Sequence, residues 1–515
     1  MATTQAAADA ARRRDPARTS WRVPGLTWVD LVFVLALVGV STALRATRLP
    51  AHGLWHDDAW VGVVNRADTF EEIRLVGLTS PGYTFLLKGW LSLFGFTDLN
   101  AQLPAVVLGI ATPPLAYGLL VWKGVHRVAA GTGALLLAVS AVHIQYSDRV
   151  KQFTLDGVVS LGLIAVFWWL LDDVRSARRW GWAALAAVGA VVLSAPSLAL
   201  VMAGFGVAWC VLLLRQRSSF RAALLPTALA GVFSLAWLML VLVPAINPLL
   251  RGSWAGYYIS VGDGLTSALD HTALLLQRLI ERAVALPTIA AVALVVLSAL
   301  VVLLRRPVLG LFLVIPVLIA VVLAAAEAAP LGGGRVDIYL YPGLAVMVAL
   351  ALDEVAGISR LALAAICAAL VGLFALSYTA PGDYPRQDLE PLVAHVEREA
   401  SPSDGILVYP HASFGFGLYT TWPVDLERTE IWATGFGVRI GRPNVYVPTT
   451  PSRTPEAASA AVRKATWSHD RVWFVVAQAP RESIRAYQKA FRSLGFSKSS
   501  VLRRPGATLT LWTRT

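Results

Sequence analysis

Cysteine and charge are both scarce in this chain of 515 residues. The two cysteines, Cys210 and Cys367, each lie inside an apolar run, so a structural disulfide is not expected and a cysteine-based metal cluster is excluded. Only 15% of the residues are charged, whereas roughly 25% is usual in soluble domains. Because residues 380–515 are ordinarily polar, the apolar excess falls in residues 25–380. Runs there approach the roughly 20 residues that cross a bilayer.

The positive charge that is present, a formal net charge of +12, lies in short arginine clusters between apolar runs. The positive-inside rule predicts this distribution, and it argues against a nucleic-acid partner. The N-terminal segment 1–27 lacks the pattern of a signal peptide, so we predict a cytoplasmic tail. The bias toward Ala, Arg, Val and Leu is typical of GC-rich, actinobacterial genomes.

The predicted fold class is an α-helical polytopic membrane protein with about eleven transmembrane helices and a C-terminal α/β domain outside the membrane. Alternation from a cytoplasmic N-terminus places the arginine clusters inside. It places the loops 47–101, 146–152, 247–284 and 328–341 outside, together with the tail from 379. The predicted spans are 28–46, 102–121, 128–145, 153–171, 182–197, 200–214, 223–246, 285–304, 308–327, 342–352 and 361–378.

Three domains follow from this pattern: a tail (1–27), a transmembrane domain (28–378) and a soluble α/β domain (379–515). The first outside loop is predicted to carry an interfacial helix at 83–96, which is too short to span the membrane. In the α/β domain, the pattern predicts helices at 387–400 and 480–494, strands at 406–409 and 472–476, and a hairpin around Pro505-Gly506.

Two adjacent carboxylates, Asp57 and Asp58, follow the first span and stand between Trp55 and Trp60. Such a pair has the chemistry of a general base or a metal ligand. The alternative is helix capping, since Asp is favoured where helices begin. The segment from Thr79 to Tyr83 indicates a turn and a helix start and is a weak catalytic signal.

Basic residues also occur on the predicted outside, against the topological trend. Arg149 and Lys151 precede the fourth span, where a helix N-terminus favours an anion such as a lipid phosphate. Ordinary snorkelling to headgroups is the alternative. Arg335 lies in a glycine-rich turn, with local pairing to Asp337 as the alternative. An aromatic belt accounts equally well for Tyr258.

The order and placement of these segments resemble the GT-C superfamily of membrane glycosyltransferases, specifically the protein O-mannosyltransferase and aminoarabinose transferase branch (glycosyltransferase family 39-like). The segments are Trp55 to Asp58, Ser80 to Tyr83, Tyr146 to Phe153 and Arg335 to Pro342. The resemblance covers most of the chain in architecture and about thirty residues in motif.

The resemblance implies roles for residues of this chain. Asp57 falls on the first acid of the family's acidic pair, its proposed base, and Asp58 on the second. Lys151 stands at the position of the family's arginine, whereas Arg149 replaces a glutamate. Thr79-Ser80 replaces the start of a His-Pro-Pro motif. The predicted catalytic residues are therefore Asp57 and Asp58; the donor phosphate would bind Lys151, Arg149 and Arg335, and the substrate would contact Trp55, His56, Tyr83, Tyr146, Asp148, Tyr339 and Tyr258.

The activity implied by the resemblance is transfer of a sugar, hexosyl or pentosyl, from a polyprenyl phosphate to an acceptor outside the plasma membrane. The acceptor class stays open among envelope glycolipid, polysaccharide and protein, and mannose and arabinose are among the candidate sugars. No obligatory metal is expected, although the acidic pair leaves a divalent metal open. The rival interpretations are a transporter or flippase for a lipid-linked glycan and a non-catalytic binding protein. Charges near the bilayer midplane or inverted repeats would favour a transporter, and the sequence shows neither.

Overall fold

The structure is a computed structural model that describes residues 27–49, 53–77, 80–215, 220–245, 248–379, 382, 386–429, 434–448 and 454–515. The predicted tail and Thr79 lie outside these residues, apart from Thr27. Thr27 begins the first helix, because its hydroxyl accepts from the amide of Asp30 and the Asp30 carboxylate accepts from the amide of Thr27.

Helices make up almost all of the region up to residue 379. In chain order they are α1 (Trp28–Ala46), α2 (His56–Gly62), α3 (Phe70–Val76), α4 (Pro81–Phe94), α5 (Asp98–Trp122), α6 (Arg127–Val139), α7 (Ala141–Gln145), α8 (Phe153–Asp172), α9 (Ala177–Leu193), α10 (Ser197–Arg215), α11 (Phe220–Trp237), α12 (Pro248–Ser253), α13 (Leu265–Val284), α14 (Thr288–Arg305), α15 (Pro307–Ala325), α16 (Tyr341–Ile358) and α17 (Arg360–Ser377).

Helices occur at all eleven predicted spans. Within the described residues, nine are long and apolar enough to cross a membrane, so the chain is a multi-pass membrane protein. The other two, α6 and α9, have 13 and 17 residues. Helix α4 lies where the interfacial helix was predicted, and its position at the membrane surface stays a prediction. Helix α13 was not predicted, because its segment was interpreted as a loop.

Ion pairs join helix ends that alternating spans place on the same side. Asp30 at the start of α1 pairs with Arg127 at the start of α6, at 2.7 Å. Arg306, between α14 and α15, pairs at 2.6 Å with Asp353 near the end of α16. Because successive helices reverse direction, these pairs lie at one end of the bundle, whereas the first loop and the C-terminal region lie at the other.

The C-terminal region is built on a five-stranded sheet of order β4-β1-β5-β7-β6. Strands β1 and β5 are parallel, and β6 and β7 form the predicted hairpin. The predicted helices and strands are present, while β2, β3, β4, two helices and a 3-10 turn were not predicted. The elements are α18 (Glu390–Glu399), β1 (Gly405–Val408), α19 (Ser413–Tyr419), β2 (Val424–Arg428), β3 (Phe436–Ile440), β4 (Val445–Tyr446), α20 (Pro455–Thr466), β5 (Arg471–Ala477), α21 (Arg481–Ser493), β6 (Phe496–Arg504) and β7 (Ala507–Arg514), with a 3-10 turn at Pro410–Ala412.

Helices cover both faces of this sheet. Alternate residues of a strand point to opposite faces. Trp473 accordingly packs on His395 of α18, whereas Phe474 packs on Tyr487 of α21. Gly405 is in register with Val472 and lies against Ala465 of α20. Helices α20 and α21 therefore share the face opposite to α18.

One hydrophobic core joins the first loop to the C-terminal region. Leu54, Val63 and Leu87 belong to the same buried cluster as Phe414 and Trp512. A separate cluster fills the interior of the membrane helices. The predicted boundary at 378 and 379 stays a prediction, but the first loop packs with the C-terminal region rather than standing alone.

Candidate active site

The two acidic residues of the first loop lie in the first turn of α2, where the helix dipole favours negative charge. Consecutive residues of a helix project about 100° apart, so the two carboxylates face different partners. Asp57 contacts Arg335, and Asp58 contacts Arg149. The structure thus places them in two distinct environments.

Asp58 is fully buried and connects two loops. Its Oδ2 accepts from Arg149 Nη1 at 3.0 Å, and its Oδ1 accepts from the amide of Val150 at 3.1 Å. Burial raises the pKa of Asp58, while Arg149 and Lys151 oppose this change. The carboxylate therefore holds the first loop against the segment that precedes α8.

Asp57 retains some solvent exposure, 18% of its side chain, and accepts from Arg335 Nη1 at 2.9 Å. Burial acts to raise its pKa, but Lys151 and Arg335 outweigh this effect and lower the pKa below its usual value. Asp57 is therefore an ionised carboxylate beside two cations.

Lys151 is almost fully buried, and its Nζ lies 4.1 Å from the ring centroid of Trp60. Burial lowers the pKa of Lys151 to about 8, although Asp57 and Asp58 favour its charged form. Amine and carboxylate thus converge from segments almost a hundred residues apart. A cation held over an aromatic face is stabilised electrostatically.

Arg335 begins a 3-10 turn, Arg335–Leu340, directly after Gly334, which has a φ of +78°. The carboxylate of Asp337 accepts from the amide of Gly334 at 2.9 Å, so it caps the turn. The alternative of an Arg335–Asp337 pair is not what the structure describes. The Arg335 guanidinium lies 4.9 Å from the ring centroid of Trp254.

The predicted residues fall into two groups around this centre. Trp55 lies under Arg149 and Arg335, with 5.7 and 6.0 Å from its ring centroid to the guanidinium carbons. Tyr83 is buried, and its hydroxyl interacts electrostatically with Asp58. Trp55 therefore lies beside Arg149 and Arg335, whereas Tyr83 lies near Asp58.

The second group has other surroundings. The Asp148 carboxylate accepts from Arg48 at 3.0 Å and from Arg386 at 3.5 Å. Tyr146 packs edge-on against Phe153. This group also contains Tyr339, which is buried, and Tyr258, which interacts with Arg251 and Glu327. The structure connects Asp148 to anchoring ion pairs, and the substrate roles of this group stay predictions.

His56 faces the C-terminal region rather than the two cations. Its Nδ1 donates to the backbone oxygen of His411 at 3.0 Å, and its ring packs on His411 and Phe414. Burial, with a contribution from His411, lowers the pKa of His56 to about 4. A neutral His56 therefore connects the acidic motif to the C-terminal region.

Sequence reasoning missed several residues of the site. Trp60 and Trp254, which contact Lys151 and Arg335, were counted only as loop aromatics. Arg45 is fully buried at the end of α1, and its Nε donates to Ser147 Oγ at 3.0 Å. Asp156 is buried in the first turn of α8. Both charged residues lie within predicted apolar spans, and this unusual placement was the signal that could have identified Arg45 and Asp156.

Metal-ligand types do not cluster at this site. In the part of the chain that the structure describes, no group of three or more His, Cys, Asp or Glu side chains is arranged to hold a metal ion. Metal independence remains a prediction.

Helices at every predicted span and an α/β region after them form a fold that solved membrane proteins share. No family model and no curated protein matches the chain. Solved structures do: the structure of ArnT from Cupriavidus metallidurans in the apo state superposes with a TM-score of 0.59 at 12% identity, covering 93% of this chain and 98% of that one. The same ArnT bound to undecaprenyl phosphate superposes with a TM-score of 0.57 at 13% identity, covering 94% and 98%.

An archaeal oligosaccharyltransferase from Archaeoglobus fulgidus, solved with Zn and sulfate, gives a TM-score of 0.53 at 13% identity. This match covers 86% of this chain and 67% of that one. At these identities the likeness shows a shared fold, and the chemistry has to be argued from the site.

Proposed function

We propose that the chain is a membrane glycosyltransferase that moves a sugar from a polyprenyl-phosphate donor to an acceptor at the outer face of the plasma membrane. The observation that carries the proposal is the convergence of Asp57, Lys151 and Arg335 beside the ends of membrane helices. The shared fold with ArnT, which was solved with undecaprenyl phosphate, supports the same reading. In this proposal the N-terminus is cytoplasmic and the C-terminal region is extracytoplasmic.

The reaction is a single displacement with inversion at the sugar carbon. The acceptor hydroxyl loses its proton to the Asp57 carboxylate while its oxygen bonds to the anomeric carbon. The bond from that carbon to the phosphate oxygen breaks, and its electron pair leaves with the phosphate. Lys151 and Arg335 stabilise the charge that develops there. No strong general acid is needed, since phosphate is a good leaving group.

The ion pair of Asp57 with Arg335 couples donor binding to base strength. In the free protein, both cations lower the pKa of Asp57 and weaken it as a base. A donor phosphate that engages Lys151 and Arg335 neutralises them, so the pKa of Asp57 rises. The base is thereby strengthened when the leaving group is in place.

The experiment is sugar transfer by purified protein in nanodiscs. Candidate donors are polyprenyl-phosphate mannose and polyprenyl-phosphate arabinose, with envelope extract from a deletion strain as acceptor. Asp57→Asn should lower kcat by about a hundred- to ten-thousandfold, the usual contribution of a general base. Asp425→Asn, which alters an exposed carboxylate of β2, is the control and should leave kcat unchanged. Undiminished transfer by Asp57→Asn, or transport of the lipid-linked sugar without transfer, would contradict the proposal.

A further inference from the structure

A second polar site lies in the C-terminal region, apart from Asp57. A cleft of about 950 Å³ lies along α20 and α21, and its lining residues come from the segment between Pro443 and Ser493. Ligand pockets commonly have volumes of roughly 300–1,000 Å³. The cleft is therefore large enough for a ligand of several rings.

The orientation of the sheet places one end of this cleft far from the membrane helices. The parallel strands β1 and β5 direct their carboxyl ends toward the first loop, where His411 contacts His56 and Gln478 contacts Gln387. Trp467 precedes the start of β5, and a strand of seven residues extends about 20 Å. The Trp467 end thus lies about 20 Å farther from the first loop than Gln478 does.

Positive charge dominates the walls of the cleft. Arg463 and Lys464 project from α20, and Lys489 projects from α21, whereas Glu456 is the acidic residue of the lining. A concave surface lined by one sign of charge concentrates counter-ions. The ligand should therefore carry phosphate or carboxylate groups, which Arg and Lys bind through charge-assisted hydrogen bonds.

The cleft also contains an exposed aromatic ring. The side chain of Trp467 is 87% exposed, although a ring of this size is normally well buried. Next to it, His469 is fixed because its Nδ1 donates to the backbone oxygen of Ser403 at 2.8 Å. A flat apolar ring beside cations and the hydroxyl of Ser468 suits a sugar ring that carries an acidic substituent.

We propose that this cleft binds a glycan that bears phosphate or carboxylate groups. That the ligand is anionic follows from the residues of the cleft alone. That the ligand is a glycan rests on the proposed function, in which this glycan is the acceptor. A bilayer surface fits less well, because the lining is concave and the Trp467 end points away from the membrane helices.

The test measures binding to full-length protein in nanodiscs of uncharged phosphatidylcholine. The probes are oligogalacturonate and a neutral maltooligosaccharide of equal length. Arg463→Ser with Lys489→Ser should weaken oligogalacturonate binding about five- to tenfold, since exposed ionic contacts contribute modestly. Trp467→Ala should weaken it as well. Arg485→Ser with Arg492→Ser removes equal charge from the exposed part of α21 outside the cleft and should change binding less than twofold.

Three results would overturn the proposal: equal binding of the neutral oligosaccharide, equal losses in the two double variants, or binding only to phosphatidylglycerol vesicles. Melting temperatures of all variants verify that each is folded. Binding of undecaprenyl phosphate, which involves Lys151 and Arg335 in the proposed function, should stay unchanged in the cleft variants. Oligogalacturonate binding without sugar transfer would reject the proposed function and leave the cleft proposal standing.

Discussion

Lys151 has little contact with solvent, lies over the ring of Trp60 and interacts electrostatically with Asp57 and Asp58. Its pKa, lowered to about 8 by burial, means that the free protein loses this charge as pH rises through that value. Asp57 has a lowered pKa and stays ionised throughout the neutral range. We therefore expect kcat/KM, which reports the free protein, to fall above about pH 8.

The variant Lys151→Arg checks this assignment, because arginine keeps its charge at all accessible pH values. In Lys151→Arg the fall in kcat/KM above about pH 8 should disappear, even if the maximum value of kcat/KM is lower than in the parent protein. If kcat/KM of this variant still falls at the same pH, the fall is due to the titration of another group.

Asp58 should act on stability rather than on the chemical step. Asp58→Asn removes the carboxylate that pairs with the buried guanidinium of Arg149 at 3.0 Å, and breaking a buried pair costs about 3–5 kcal/mol. We expect a clearly lower melting temperature for Asp58→Asn and nearly the parental value for Asp57→Asn. Equal melting temperatures would remove the distinction between a structural and a catalytic carboxylate.

Much of the site could be predicted from the sequence at this scale. Asp57, Lys151 and Arg335 were expected together because alternating spans place their loops on the same side. The roles of the individual groups could not be predicted: nothing in the order of Asp57 and Asp58 shows which is tied to Arg149. Arg45 was missed because a single charge at the end of an apolar run looks like an ordinary helix boundary.

At the scale of elements, α1 and α5 fix the segment that carries Lys151. Arg45 bonds to Ser147 and lies 2.9 Å from the Nδ1 of His143. Gly109 of α5 lies directly beneath Ser147: a Cβ added there would overlap Ser147 Oγ and lie 2.8 Å from Ser147 Cβ. Close approach of helix and loop therefore requires glycine at this position.

Gly109→Ala should displace the loop from 147 to 151 and weaken binding of undecaprenyl phosphate by at least about tenfold, a loss of roughly 1.4 kcal/mol. Gly118→Ala is the matched control in the same helix, since an added Cβ there meets no atom within 4 Å. It should leave binding unchanged and stabilise the helix by up to about 1 kcal/mol. Equal binding by the two variants would contradict this account of the loop.

The membrane spans that sequence patterns predicted are the helices with long apolar runs. Helix α13 was missed because apolar residues such as Leu275 and Leu279 occupy only one of its faces, while Gln277 and Arg278 interrupt the run. The spacing of Ala268, Leu275 and Leu279 indicates a one-sided helix, but aromatics nearby had favoured a surface loop. The strands β2 and β3 were missed because they are short and form a separate two-stranded sheet, so the alternation of apolar residues in their sequence is weak.

At the scale of the whole molecule, the C-terminal region docks on the first loop through close backbone contacts. The hairpin turn at Gly506 has a φ of +68°, and a Cβ added there would collide with the backbone oxygen of Arg386 and lie 2.9 Å from its carbonyl carbon. The next residue, Gln387, donates its amide to Leu54 O at 3.2 Å. Gly506 therefore permits the contact between hairpin, linker and first loop.

Gly506→Ala should lower the melting temperature, expose the C-terminal region to limited proteolysis and reduce sugar transfer. Gly495→Ala is the control, because Gly495 has a similar φ of +79° with open space around it. Both variants carry a backbone strain of about 1–2 kcal/mol, so only their difference reports docking. Similar proteolysis of the two variants would show that the Arg386 contact is dispensable.

Because the first loop and the C-terminal region share one hydrophobic core, that core can form only after the ribosome has synthesised both regions. His56 contacts His411, which lies 355 residues later in the chain, so the acidic motif is synthesised well before His411. Since chains emerge at about 5–20 residues per second, this interval lasts tens of seconds. A nascent chain that already holds all its membrane helices still lacks the contact between His56 and His411, and premature termination after the last helix yields an inserted but incomplete protein.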